Sequence, residues 1–226
     1  MKTVFLRLIT RLTEPLLRPQ QANRRDQFAA LGAQRGAVVF LGDSITEFVE
    51  WEEWFPHVHV SNRGISGERI ADVTARLDSA LDDPAAVFLM IGTNDLAKTG
   101  DLDTIESRYR TLVAGIRSRA PRARLVVTGI LPRHSELANE VSALNARIRP
   151  IVAAAGGTYV DMHPELSGPS GELRREFSAD ALHLNGAGYA LWVAKLRPLM
   201  PDSNPAVQPL VPVPSSTTTA QGAHHD

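Results

Sequence analysis

Between residues 37 and 160 the chain carries five short apolar runs, separated by longer stretches in which apolar residues recur every three or four positions. The runs at 37–41, 57–61, 87–91, 125–130 and 158–160 have the length and composition of strands. The stretch 70–81 places Ile70, Val73, Leu77 and Leu81 on one helical face, and 105–116 does the same with Ile105, Leu112 and Ile116. Residues 135–154 and 186–199 supply two further helices, the second with Leu191, Ala194 and Leu199 among its apolar positions. Strands alternating with helices demand crossover connections. The expected fold is therefore α/β, a three-layer α/β/α sandwich on a five-stranded parallel sheet.

The two ends read differently. Residues 1–25 carry Lys2, Arg7, Arg11, Arg18, Arg24 and Arg25 against Glu14 alone, interleaved with Val4, Phe5, Leu6, Leu8, Ile9, Leu12, Leu16 and Leu17, the pattern of a basic amphipathic helix. Arg7 and Arg11 interrupt the apolar run that a secretory signal needs. Pro15 and Pro19 are expected to stop the helix early, leaving a segment that packs on the domain or touches a membrane surface. Residues 201–226 are rich in Pro, Ser and Thr without helical or strand period and read as a disordered tail, too mobile for His224 and His225 to hold a metal. The folded unit is expected over residues 26–200.

Composition narrows the chemistry. With 43% hydrophobic and 22% charged residues the chain is an ordinary globular one, and no apolar run approaches the roughly 18 residues of a membrane span. It has no cysteine, which excludes disulfides, thiolate nucleophiles and cysteine zinc sites. Lys plus Arg number 24 and Asp plus Glu 25, so no basic field favours nucleic acid. A small neutral or weakly charged partner is expected, in a cytoplasmic location.

In a parallel α/β sheet, ligands bind beyond the carboxyl ends of the strands. There the chain places Gly42-Asp43-Ser44-Ile45-Thr46 after the first run, Asn62-Arg63-Gly64-Ile65-Ser66-Gly67 after the second and Gly92-Thr93-Asn94-Asp95 after the third. Ahead of the last helix stands Asp180-Ala181-Leu182-His183. Its spacing lets Asp180 bind the imidazole nitrogen facing away from Ser44, so that the other accepts the serine proton. Each cluster alone has a plain reading: Asp43 and Ser44 as a turn and helix cap, Gly64 and Gly67 as loop glycines, Asn94 and Asp95 as caps, His183 as a half-buried histidine. Together, on one edge, they supply nucleophile, base, orienting carboxylate and oxyanion donors.

These four ordered blocks resemble the SGNH hydrolases, the GDSL-like esterase and lipase superfamily. The runs FLGDSITE, VSNRGISGERI, FLMIGTNDL and LHLNGAGY look most like the branch containing the catalytic subunits of platelet-activating-factor acetylhydrolase and small bacterial esterases. Ile45 replaces the leucine of the family's name, a conservative difference. The resemblance implies a flavodoxin-like SGNH hydrolase fold and a serine esterase for short, acetyl-like acyl groups. Ser44 would be nucleophile, His183 base and Asp180 its orienter, with the oxyanion held by the N–H groups of Ser44 and Gly64 and by the Asn94 amide. No cofactor and no metal are needed, and because the resembling branch includes dimers a homodimer is among the expectations.

Rival readings remain open. Thioester or lysophospholipid hydrolysis on longer acyl chains would use the same residues, and a non-catalytic carbohydrate-binding relative could keep the fold. Nucleotide binding lacks both GxGxxG after the first strand and a GxxxxGK[ST] run. Asp161-Met162-His163 is a second acid–histidine pair near the same edge, His57 and His59 fall at the opposite edge, and His134 could line the site. Trp51, Trp54 and Phe55 read as an apolar wall or as core, and Arg63 and Arg69 as anion contacts or solvated surface.

Overall fold

The computed structural model describes residues 2–201, with side chains from residue 15 onward. Apart from Pro201, the expected tail with His224 and His225 lies outside the described residues. Helix α1 (Lys2–Leu31) leads into β1 (Val38–Gly42), α2 (Ser44–Glu47), α3 (Trp51–Trp54) and β2 (Val60–Gly64). There follow α4 (Ile70–Ala75), α5 (Leu77–Ala80), β3 (Ala86–Met90), α6 (Thr93–Lys98), α7 (Leu102–Arg119), β4 (Arg124–Thr128) and α8 (Ala138–Ala154). The chain closes with β5 (Thr158–Val160), α9 (His163–Leu166) and α10 (Gly186–Leu196).

The five strands form one parallel sheet in the order β2-β1-β3-β4-β5. Alternation along the strands divides the core. Val39, Leu41, Val87, Leu89 and Val127 face one side and pack with α4, α5, α7 and α8, while Val38, Phe40, Phe88, Met90 and Val126 face the other and pack with α2, α3 and α10. Both faces of β1 and β3 are buried, as a sheet covered by helices on each side requires. Phe40 lies stacked on Trp51 at 3.6 Å between ring centres, and Trp192 closes the same layer, its indole N–H donating to Thr128 Oγ1 at 3.0 Å. Trp51 and Phe55 are thus core residues.

Three local readings change. The second strand runs over Val60–Gly64 and not 57–61, because pairing with β1 sets Val38 opposite Val60 and Gly42 opposite Gly64. The polar Asn62-Arg63 pair therefore lies inside the sheet. Arg63 is no surface cation: 2% exposed, it donates to Gly32 O and lies over the Phe28 ring. The helix expected over 70–81 breaks at Arg76, whose guanidinium turns inward to Glu68 and to the Arg63 carbonyl.

Pro15 and Pro19 lie inside α1 instead of ending it. They are four residues apart, on one face of the helix, and both are exposed. The following turns are anchored to the sheet's carboxyl edge. Gln21 Nε2 donates to Ser66 O at 2.9 Å, Arg25 donates to Glu68 at 2.8 Å, and Phe28 is 2% exposed beneath Arg24 and Arg63. Along its course α1 also meets α6 and the 3-10 turn Ser135–Leu137. Among the described residues no helix is long and apolar enough to cross a membrane.

Candidate active site

Because all five strands are parallel, the segments after β1, β2, β3 and β4 emerge on one edge. Ser44 opens α2 directly after β1, and Asp43 caps that turn by accepting from Ile45 N–H at 3.0 Å. Ser44 Oγ lies 3.0 Å from His183 Nε2, although 139 residues separate them. His183 Nδ1 lies 2.7 Å from Asp180 Oδ2. With Asp180 ionised, Nδ1 carries the proton and Nε2 is free to accept from the serine hydroxyl.

The turn carrying this pair is tightly specified. Asp180 Oδ1 accepts from the N–H groups of Leu182 at 2.9 Å and His183 at 2.8 Å, and from Ser178 Oγ at 3.1 Å. Those bonds hold Ala181 at φ +56, a left-handed conformation that alanine rarely adopts. Partial burial alone would raise the Asp180 carboxyl, but the His183 ring and the two backbone donors outweigh it and hold the group at about 2.

The expected oxyanion donors differ in what they already bind. Ser44 N–H has no acceptor among the described residues, and the same holds for Gly67 N–H, which the sequence offers only as a loop glycine. Gly64 N–H, by contrast, donates to Asn62 Oδ1 at 2.9 Å. A side chain at Gly64 would lie 2.3 Å from Glu47 N, so this glycine is required by the close approach of β2 to α2. Gly67, at φ +73, takes the conformation that favours glycine. Asn94 is half-buried at the start of α6 and spends one of its two amide hydrogens on Glu68 O at 2.9 Å.

Glu47 and Arg133, which the sequence pattern passed over, frame these groups together with Asp95, which the sequence offers as a cap. Glu47 in α2 accepts from Ser66 N–H at 2.7 Å and Ser66 Oγ at 2.5 Å, pinning the loop that carries Gly67. Asp95 is buried and accepts from Ile70 N–H at 3.0 Å, tying α4 to α6. Arg133, 6% exposed after β4, donates to Thr93 Oγ1 at 2.9 Å and Thr93 O at 3.2 Å, beside Asn94. An isolated Leu-Pro-Arg run announces none of this. The Phe48 ring, 54% exposed, sits 5.4 Å from that of His183 and is the aromatic neighbour that Trp51 was a candidate to be.

The other histidines fall elsewhere. His163 Nε2 bonds Ile130 O at 3.1 Å and its Nδ1 bonds Ser167 Oγ at 3.2 Å, while Asp161 pairs with Arg149 at 3.0 Å. This pair therefore fastens β4 to the α9 turn and does not reach Ser44. His59 bonds Gln34 at 3.0 Å at the opposite edge. His134 lines a cavity of about 620 Å³ together with Glu136, Glu172, Arg175, Asp180 and Ala181. Among the described residues no group of three His, Asp or Glu side chains gathers to hold a metal.

Asp43 is fully buried and only one of its carboxylate oxygens is bonded. Burial pushes it up to about 7, against the Ile45 N–H bond and the Arg133 charge. A carboxyl raised from 3.8 to about 7 binds more protons folded than unfolded, so the wild-type stability falls as pH rises through that window. Asp43→Asn keeps the cap and removes the titration. Its melting temperature relative to wild type is expected to climb between pH 4 and pH 7, and a difference that stays constant across that range would refute the shift.

Residues 40–191 match the model of the GDSL-like lipase/acylhydrolase family. Platelet-activating factor acetylhydrolase IB subunit alpha1 of Bos taurus is 31% identical over 195 residues, covering 79% of this chain and 82% of the relative. A GDSL-like lipase from Bacteroides thetaiotaomicron superposes with a TM-score of 0.67 at 22% identity, covering 79% of this chain and 96% of that one. An acetyl xylan esterase, AlAXEase, does so with a TM-score of 0.62 at 20% identity over 73% of this chain and 100% of its own. The chain is a hydrolase and belongs to the GDSL-like lipase/acylhydrolase family.

Proposed function

We propose that the protein is a serine esterase that removes short, acetyl-like acyl groups through an acyl-enzyme. The observation that carries this is the unbroken chain Ser44 Oγ, His183, Asp180, with contacts of 3.0 and 2.7 Å. Ser44 Oγ attacks the ester carbonyl while His183 Nε2 takes its proton, and Asp180 stabilises the imidazolium. The tetrahedral intermediate collapses, the alcohol leaves with the proton held on His183, and Ser44 remains acylated. Water, deprotonated by the same nitrogen, then releases the acid and restores the serine.

The developing oxyanion takes the Ser44 N–H and the second Asn94 amide hydrogen. Gly67 N–H, which has no internal acceptor among the described residues, is the third donor in this reading, since Gly64 N–H would first have to leave Asn62. A short acyl group is supported by the activities named for two similar proteins, an acetylhydrolase relative and an acetyl xylan esterase of like fold.

The test is a series of p-nitrophenyl esters of increasing acyl length, run on wild type and Asn94→Ala. Acetate is expected to be cleaved best, and the variant to lose about 10²–10³ in kcat, the usual effect of one oxyanion donor. A maximum at long chains would favour the thioesterase or lysophospholipase reading. Near-normal turnover in Asn94→Ala would remove that residue from the oxyanion site.

A further inference from the structure

Residues 65–68 form a type II turn. Glu68 N–H donates to Ile65 O at 3.2 Å, and Gly67, third in the turn, sits at φ +73. The same four residues could close as a type I turn, with the same hydrogen bond and with the peptide between Ser66 and Gly67 rotated by about 180°. Glycine accepts either sign of φ at similar cost, so the turn's own sequence does not choose between the two. The choice reverses what that peptide presents: where one form points an N–H, the other points a carbonyl oxygen.

A distant segment makes the choice. Gln21 of α1, 9% exposed, donates through Nε2 to Ser66 O at 2.9 Å. A side chain on Gly67 would come within 2.7 Å of Leu17 Cδ1 and 3.0 Å of Gln21 Nε2, so α1 lies directly against the turn. The peptide is trans, so Gly67 N–H points opposite to the carbonyl that Gln21 holds, away from α1. Ser66 is also held by Glu47, whose Oε2 accepts from its N–H at 2.7 Å and its Oγ at 2.5 Å, and Glu47 pairs with Arg24 of α1 at 3.3 Å. Glu68 O, at the end of the turn, accepts from the Asn94 amide at 2.9 Å, which sets the Gly67 peptide beside another proposed donor.

We infer that Gln21 is a positioning residue for ester hydrolysis: by holding Ser66 O it selects the type II turn and aims Gly67 N–H at the oxyanion. The inference rests on the reading of Gly67 N–H as the third donor. If the peptide flipped, the Ser66 carbonyl oxygen would face the negative charge that forms in the transition state. That flip breaks the Gln21 bond and strands a buried amide, whereas the Ile65–Glu68 bond survives it. A hydrogen bond accepted at the carbonyl also polarises the same peptide and strengthens its N–H as a donor. Both effects act on the transition state and leave the ground-state ester untouched, so they belong to kcat. Helix α1 precedes residues 40–191, the part that matches the family model, and so adds to the catalytic edge from outside it.

Gln21→Met keeps the length of the side chain and removes its donor. With p-nitrophenyl acetate, well below the melting temperature of either protein, kcat is expected to fall about tenfold, less than the ~10²–10³ of losing a donor outright. KM should stay within twofold. Affinity for 2,2,2-trifluoroacetophenone, which adds to a catalytic serine as a tetrahedral oxyanion, should weaken by the same factor as kcat/KM. A lowered melting temperature with unchanged kcat would overturn the inference, as would a fall in kcat without the matching loss of ketone affinity. If Gln21→Met does not fold, Gln21→Glu, isosteric and unable to donate while ionised, carries the same expectations at pH 8. Nuclear magnetic resonance on protein carrying nitrogen-15 glycine tests the donor separately: in wild type the Gly67 amide proton should move downfield when the ketone adduct forms. No movement there would remove Gly67 as a donor and the role of Gln21 with it. Movement in wild type, with catalysis unaffected in the variant, would overturn the role of Gln21 alone.

Discussion

Ser44→Ala is expected to lower kcat for p-nitrophenyl acetate by about 10⁵–10⁶, the loss seen when a triad nucleophile is removed, with the far-ultraviolet circular dichroism and melting temperature essentially unchanged. Ser44 is buried at 7% exposure, and its Oγ contacts His183. The alanine keeps the helical start that Asp43 caps, so no packing is lost. The His183→Ala variant should lose about as much, and the double variant hardly more than either, because nucleophile and base act as one unit. Multiplying losses in the double variant would mean that the two residues act independently, and the proton transfer drawn between them would be wrong. What remains should reflect the oxyanion donors and substrate binding alone.

The largest stability effect is expected away from the reacting atoms, at Arg76→Met. Arg76 Nε lies 2.7 Å from Glu68 Oε2, with side-chain exposures of 6% and 0%. Arg76 also donates to the Arg63 carbonyl at 2.7 Å. Removing one member of such a pair leaves a buried charge uncompensated and typically costs about 3–5 kcal/mol. Arg25 at 2.8 Å is half-solvated and only partly replaces it. Urea denaturation should show a lower midpoint at unchanged slope.

Burial already pushes the Glu68 carboxyl up, and Arg76 is the largest influence holding it down. Without Arg76 the folded protein takes up a proton at Glu68 more readily, so the deficit should shrink as pH falls from 8 to 5. Glu68→Gln combined with Arg76→Met should recover part of the loss. Equal deficits at both pH values would argue that Glu68 is not the group left uncompensated. Because the Glu68 carbonyl accepts from Asn94, the single variant should also lose turnover.

How far the sequence spoke for itself varies from residue to residue. The alternation of apolar runs with helical periods was enough for the parallel five-stranded sheet, since strand burial on both faces leaves continuous apolar stretches such as Val38–Gly42. The polar clusters after those strands were legible for the same reason: parallel strands oblige their following segments to share an edge. The three-residue spacing of Asp180 and His183 was also readable, because a carboxylate reaches an imidazole across one tight turn. The competing Asp161 and His163 pair looks similar in one dimension, and only the bonds to Ile130, Ser167 and Arg149 show it employed elsewhere.

Other features had no local signal. Periodicity placed β2 three residues early, since Asn62 and Arg63 look like loop residues until a partner strand and the Phe28 ring receive them. Proline rules alone would end α1 at residue 15, whereas anchoring by Gln21, Arg25 and Phe28 and a shared exposed face for both prolines let it continue. The resemblance alone names Gly64 as an oxyanion donor, because the state of a backbone N–H is invisible in sequence. Whether it is free depends on Asn62 two residues away and on how closely β2 approaches α2.

The sequence by itself determined the fold class, the edge on which chemistry gathers and the side chains available there, because these follow from period, spacing and residue type. The tertiary structure decided which donors remain unspent, which charges are buried in pairs and what cavity stands beside Asp180. Those properties belong to contacts between segments far apart in the chain, such as the 139 residues that separate Ser44 from His183, and no local pattern encodes them.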